Sequence, residues 1–333
     1  WRIRAALWAG EWSQALNWLA VLPDALAEQP RWRYWNARAL EAVGQKGEAF
    51  QRFTRLAQEN DTYGLLAAWR AGKGWTPINE PKPVTAEQRA ALDATPAFVR
   101  AQEAWRAQQR SIASLEWADA IAAVPASAQS ALVREAASLG WYDQAIVTAT
   151  RFGIFRDLDV LFPRPYAALV QQAASDSGIP APWIYSVMRK ESAFKADATS
   201  SANAIGLLQM LPGTAAMTAK ALGQKAPSVE ELKDPAINVP LGAAHLREVL
   251  DKSDGRWQMA LGAYNAGFGA VRRWRPPTTM DADVWIENIP FNETRTYVQR
   301  ILFHVGVYQW LATGKPVRAN NWLPPVEPAP VAP

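Results

Sequence analysis

The 333-residue sequence has no cysteine, which excludes disulfides, thiolate metal sites and cysteine nucleophiles together. It has only two histidines, His245 and His304. They lie far apart and outside any HExxH arrangement, so each reads as an ordinary helix residue, and neither a metal nor any other cofactor is expected. There is no run of about 20 apolar residues, so no transmembrane segment is expected. Blocks of like charge and arginine-rich arms are missing, and no nucleic acid is expected as a partner. Strand-like alternation is also missing, which leaves an all-α chain with at most a small hairpin around residues 195–208. No signal-peptide pattern opens the sequence. It begins "WRIRAALWAGEW", which reads as mid-helix, so a mature fragment with more sequence upstream is expected.

What is present fits a folded chain of two or three domains: 49% hydrophobic and 20% charged residues, enough for several cores. A net charge of +4 gives a mildly basic surface, which suits an anionic polymer such as a nucleic acid or a cell-wall glycan without choosing between them.

The first 70 residues carry helical periodicity rich in tryptophan. "WAGEWSQAL" and "AVGQKGEAF" align Gly10 with Gly44 and Ala15 with Ala49, both 34 residues apart, the period of tetratricopeptide-like helix hairpins. "SLGWYDQAI" repeats the spacing with Gly140 and Ala145. Each glycine is expected to close a helix and each alanine to let the next one pack closely. The tryptophans read as packing residues between stacked helices. Pro77, Pro81 and Pro83 then break the pattern, and Thr85 with Gln88 forms a capping box that restarts a helix. Pro163 and Pro165 mark a second break. The expected organisation is a superhelical array over 1–76, a helical linker over 77–160, a third segment over 161–320, which the resemblance given below implies to be catalytic, and a proline-rich, disordered tail over 321–333.

"IPAPWIYSVMRKESAF" holds the most informative residue. Ile184, Val187, Met188 and Glu191 fall at i, i+3, i+4 and i+7, one face of a helix, with Arg189 and Lys190 pointing elsewhere. A carboxyl held against apolar surface is hard to ionise, and a glutamate protonated near neutral pH is what a general acid needs. Periodicity alone equally allows a helix-end glutamate that reaches solvent.

The stretch "ESAFKADATSSANAIGLLQMLPGTA" resembles the first motif of the soluble lytic transglycosylases of Gram-negative bacteria, through Glu191-Ser192 and Gly206, Leu207, Gln209, Pro212, Thr214 and Ala215. "ALGAYNAGFGAVRRW" and "WIENIPFNETRTYVQRIL" resemble two further blocks in the family's order. The resemblance implies an α-superhelical array followed by a lysozyme-like, mostly helical catalytic domain. It implies Glu191 as the single catalytic acid/base, with Ser200, Gln209, Tyr264, Asn265 and Glu293 as substrate-binding residues. Where the family often has methionine before the motif's proline, this chain has Leu211. The implied activity is peptidoglycan lytic transglycosylation, a lyase reaction that cleaves the MurNAc-β-1,4-GlcNAc bond to leave 1,6-anhydro-MurNAc ends. The implied setting is the periplasm, with glycan strands as partner and a monomer as the expected state.

Read from the residues alone, Tyr264 suits a core aromatic better than a site residue, Asn265 also suits a turn before Gly267, and Glu293 a surface ion pair with Arg295. Most glycoside hydrolases need two carboxylates, and no persuasive partner to Glu191 stands out, since the turn where goose-type lysozymes carry acids is flanked here by Ala204 and Leu211. The alternatives are a lysozyme-like muramidase that uses water and a non-catalytic glycan-binding scaffold.

Overall fold

The computed structural model describes residues 1–319 and 322–329. They form twenty α-helices and two short 3-10 turns. The all-α expectation holds. The hairpin expected around 195–208 is reduced to isolated antiparallel bridges, Thr199 with Ile205 and Ile205 with Met210. No helix among the described residues is long and apolar enough to cross a membrane.

The chain packs as two compact units. One holds Trp1–Ile78, Tyr166–Glu191 and the chain from Ala196 on, and the other holds Asn79–Pro165 with Ser192–Lys195. The stretches expected as a superhelical array and a catalytic segment therefore share the first unit.

In the first unit the helix hairpins have the expected local chemistry. Gly10 and Gly44 take positive φ (71° and 91°), and Ala15 and Ala49 are buried at the following helix. Each turn is closed by the same backbone bond, Glu11 N–H to Ala6 O and Gln45 N–H to Leu40 O, both 2.9 Å. The long helix Asn292–Thr313 runs against Ala181–Glu191, Trp257–Ala266 and Thr62–Arg70 and buries ten residues. Each large apolar side chain so buried contributes about 1.5–3 kcal/mol.

A buried ionic cluster joins the N-terminal helices to the short helix Ala282–Asn288. Asp283 accepts from Tyr34 Oη (2.6 Å) and Arg38 Nε (2.9 Å) on one oxygen and from Arg70 Nη2 (3.0 Å) on the other. Burial alone would push its pKa up, but Arg38, Arg70 and the Tyr34 hydroxyl outweigh it and hold the carboxyl at about 2. Nearby, Arg31 and Tyr63 both donate to Glu287.

The tail is not disordered where it is described. Trp322, Leu323 and Val326 are buried, Val326 exchanges backbone bonds with Met280, and Gln258 Nε2 donates to Pro324 O at 2.7 Å. Proline blocks helix there but not extended packing on a hydrophobic surface, which is why a composition rule fails. The rest of the expected tail lies outside the described residues.

In the second unit Thr85 and Gln88 form the expected capping box. Gly140 (φ 73°) and buried Ala145 repeat the hairpin geometry, closed by Trp141 N–H to Ala136 O at 2.8 Å. A further turn of the same kind is absent from the glycine pattern. Gln108 takes φ 60°, Gln109 N–H bonds Ala104 O at 2.9 Å, and Ala113 is fully buried five residues after Gln108. Trp105 stacks on Trp141 at 4.2 Å and Trp117 tilts against it at 5.3 Å, so these tryptophans pack on one another.

Candidate active site

Pro182 sits in the first turn of the helix Ala181–Glu191, where its missing N–H costs little. Trp183 through Met188 are all buried, so this helix is enclosed by protein on nearly every side rather than along a single stripe. Glu191 closes it, half-buried. Directly after it, Ala193 and Phe194 both take left-handed backbone (φ 48° and 70°), an uncommon pair of conformations for residues with side chains. The chain thus stops its helix abruptly at the carboxyl.

The Glu191 carboxyl is pushed up to about 7, chiefly by burial. The Tyr297 hydroxyl, which donates to its Oε1 at 2.6 Å, and the Lys190 ammonium pull the other way, and the charge of Glu293 adds a small push upward. Sequence reasoning did not select Tyr297. It lies one helical turn beyond Glu293 in Asn292–Thr313 and is buried, so the spacing "ETRTY" was the available signal. Lys190 also corrects an expectation: it does not simply point elsewhere, since its Nζ lies 5.1 Å from the centre of the Tyr297 ring.

The remaining expected residues fall into two groups. Tyr264 lies close enough to Glu191 for the carboxylate charge to add to burial in raising its phenol well above the usual value, and its hydroxyl donates to Leu208 O at 2.7 Å. Asn265, next along the same helix, accepts from Thr294 Oγ1 at 2.6 Å, which ties Trp257–Ala266 to the start of Asn292–Thr313. Glu293 is exposed in the first turn of that helix, where the helix dipole favours an acid. Tyr264 and Glu293 thus lie within electrostatic reach of Glu191, whereas the contact shown for Asn265 is with Thr294.

Ser200 and Gln209 shape the turns instead. Ser200 Oγ accepts from Ala204 N–H at 3.0 Å, and Gln209 Nε2 donates to Ala198 O (3.1 Å) and Gly206 O (2.9 Å). Gln209 pays for its place with φ 46°, while Gly206 at φ 80° has no room for a Cβ. Leu211, at the family's methionine position, is 46% exposed, whereas Met210 is buried in a cluster with Ile205, Ala215 and Ala219. His245 and His304 both lie in helices, His304 buried and held well below its ordinary pKa by burial first and then by Arg189.

The site is therefore one half-buried, readily protonated carboxyl, one phenol donating to it, and a second phenol and one exposed acid in electrostatic reach. Comparison with known proteins supplies the family. The family described as "Transglycosylase SLT domain" matches residues 168–283, and "Soluble lytic murein transglycosylase L domain" matches residues 91–158. This chain belongs to the soluble lytic transglycosylase family. The soluble lytic murein transglycosylase of Escherichia coli (strain K12) is 31% identical over 328 residues, covering 96% of this chain and 50% of that protein. That of Salmonella typhimurium is 31% identical over 313 residues, covering 92% of this chain and 48% of the relative. Among solved structures, an inactive mutant of the lytic transglycosylase Slt from Pseudomonas aeruginosa superposes with a TM-score of 0.91 at 35% identity, covering 97% of this chain and 53% of that one. The 70-kDa soluble lytic transglycosylase in complex with bulgecin A gives 0.86 at 29% identity, covering 98% and 53%. The chain thus spans about half the length of the curated relatives it matches.

Proposed function

We propose that this chain acts as a peptidoglycan lytic transglycosylase, with Glu191 as its single general acid/base. The observation that carries the reading is the Glu191 carboxyl itself, raised to about 7 by burial and oriented by the Tyr297 hydroxyl. A group with that pKa is present in both protonation states near neutral pH, as one residue must be if it acts first as acid and then as base.

With Oε1 accepting from Tyr297, the acidic proton of Glu191 rides on the other oxygen. It passes to the oxygen between N-acetylmuramic acid and N-acetylglucosamine, and that bond breaks. The oxocarbenium-like centre is eased by the substrate's own N-acetyl group. The Glu191 carboxylate then takes the proton of the muramic acid 6-hydroxyl, whose oxygen closes on C1 to give the 1,6-anhydro sugar. An intramolecular hydroxyl has a large effective concentration over water. Tyr264, Asn265 and Glu293 would contact sugar around the carboxyl, with Ser200 and Gln209 lining the cleft from the turns. Glycan strands would be the partner and the periplasm the setting, in keeping with relatives named soluble lytic murein transglycosylases.

Mass spectrometry of muropeptides released from purified peptidoglycan tests this, with Glu191→Gln as the control. Anhydro-muropeptides from the wild type alone are expected. Reducing-end products would indicate a muramidase, for which the exposed Glu293 is the second acid in electrostatic reach. Wall binding without release by either protein would indicate a scaffold.

A further inference from the structure

The long helix Asn292–Thr313 offers two hydroxyl groups from one face, a turn apart. Tyr297 Oη donates to Glu191 Oε1 at 2.6 Å, and Thr294 Oγ1 donates to Asn265 Oδ1 at 2.6 Å. Residues three apart on a helix are neighbours on its surface, with Cβ atoms about 5–6 Å apart. Two hydrogen bonds from one support thereby set the Asn265 amide beside the carboxyl. Asn265 lies in the last turn of Trp257–Ala266, which stops at Gly267 with φ 83°.

The two ends of the Thr294–Asn265 bond differ. Thr294 is buried, whereas Asn265 is half-buried. A threonine hydroxyl in a helix commonly turns back to the carbonyl four residues before it. That of Thr294 gives its one proton to the Asn265 side chain instead. An amide has an acceptor end and a donor end, and fixing one fixes the other. With Oδ1 held inward, Nδ2 faces away with both its protons. Among the described residues it has no hydrogen-bond partner, and it is not sealed from solvent.

We propose that Thr294 is a positioning residue for glycan binding: it locks the Asn265 amide so that Nδ2 is offered as a donor to an acceptor oxygen of the sugar at the Glu191 site. Hydroxyl oxygens and N-acetyl carbonyls supply such acceptors along the strand. The proposal rests on the reading of peptidoglycan as substrate. Neighbouring groups do not compete for the bond. Glu293 is exposed, Arg295 donates to Ile289 O and Asn292 Oδ1, and Tyr264 donates to Leu208 O.

The test measures binding without turnover. A soluble glycan of alternating N-acetylglucosamine and N-acetylmuramic acid is titrated by calorimetry into the Glu191→Gln protein. The same is done with that protein carrying Thr294→Val, Thr294→Ser, Asn265→Ala or Asn265→Asp, with circular dichroism melts as a folding check. Valine keeps the shape of threonine without the hydroxyl, so affinity should fall about tenfold, whereas serine keeps the hydroxyl and should bind as the parent does. In the Asn265→Ala background Thr294→Val should weaken binding no further. Asn265→Asp keeps the acceptor for Thr294 but puts an oxygen where Nδ2 stood, so it should bind as weakly as Asn265→Ala. This variant carries the test if Thr294→Val does not fold. Undiminished binding by Thr294→Val or by Asn265→Asp, or an equal loss from Thr294→Val with and without the amide, overturns the proposal. Reducing-end products from the wild type, with these binding differences intact, would count against the transglycosylase reading alone. A parent protein that bound no glycan would overturn both.

Discussion

Replacing Glu191 by glutamine should stabilise the protein, and by more the higher the pH. The folded carboxyl is raised to about 7 from an ordinary value of 4.5, so between those values the folded state binds more protons than the unfolded chain. Stability from this group is therefore fully present below about 4.5 and is lost as pH rises through 7. The gap between the two values corresponds to about 3 kcal/mol once the group is fully ionised. Glutamine keeps the shape, still accepts from Tyr297 through its carbonyl, and never ionises. At pH 4 the variant and wild type should melt together. At pH 8.5 the variant should be more stable by about 1–3 kcal/mol, or several degrees in Tm for a unit of this size. Thermal melts by circular dichroism at half-unit pH steps give the comparison. A difference in Tm that stays flat from pH 4 to 8.5 would refute the claim that burial raises this carboxyl, and with it the physical case for Glu191 as an acid at neutral pH.

Removing the Tyr297 hydroxyl (Tyr297→Phe) takes away a bond that favours the carboxylate, so Glu191 should titrate about one pH unit higher and the alkaline limb of its rate profile should follow, read from product release against pH. Arg38→Met leaves Asp283 buried with less compensating charge and should cost about 3–5 kcal/mol in urea melts, whereas an exposed pair such as Arg106 with Glu103 should cost under about 1 kcal/mol. Gln108→Gly relieves a left-handed glutamine and should raise stability by about 1 kcal/mol in the same melts. Gly206→Ala meets both φ 80° and a 2.3 Å contact with Asn238 and should lower the yield of folded protein sharply, measured by soluble expression and the melt of what remains.

What the sequence revealed of this molecule follows from which constraints are local. A helix turn closed by glycine is settled within six residues, so Gly10, Gly44 and Gly140 announced their hairpins. The turn at Gln108 is built by the same backbone bond, yet glutamine carries no left-handed signal, and only the buried alanine five residues on betrays it. That Glu191 is half-buried was legible because its apolar neighbours lie on its own helix, but its proposed role comes from the family resemblance. Its partner Tyr297 is 106 residues away, and only its place one turn beyond Glu293 in "ETRTYV" hints at which side chain of that helix meets the carboxyl. Periodicity also could not foresee that Arg38 and Arg70 would neutralise Asp283, since such a cluster exists only after the N-terminal helices have docked. The same holds for Asn238. On the helix it reads as a polar residue of middling propensity, and its meaning lies wholly in the three backbone groups that the fold brings to it, Leu208 N–H, Ile205 O and Leu232 O. Motifs reach the residues proposed to touch substrate, whereas the groups that set their protons must be sought through hydrogen bonds that cross the sequence.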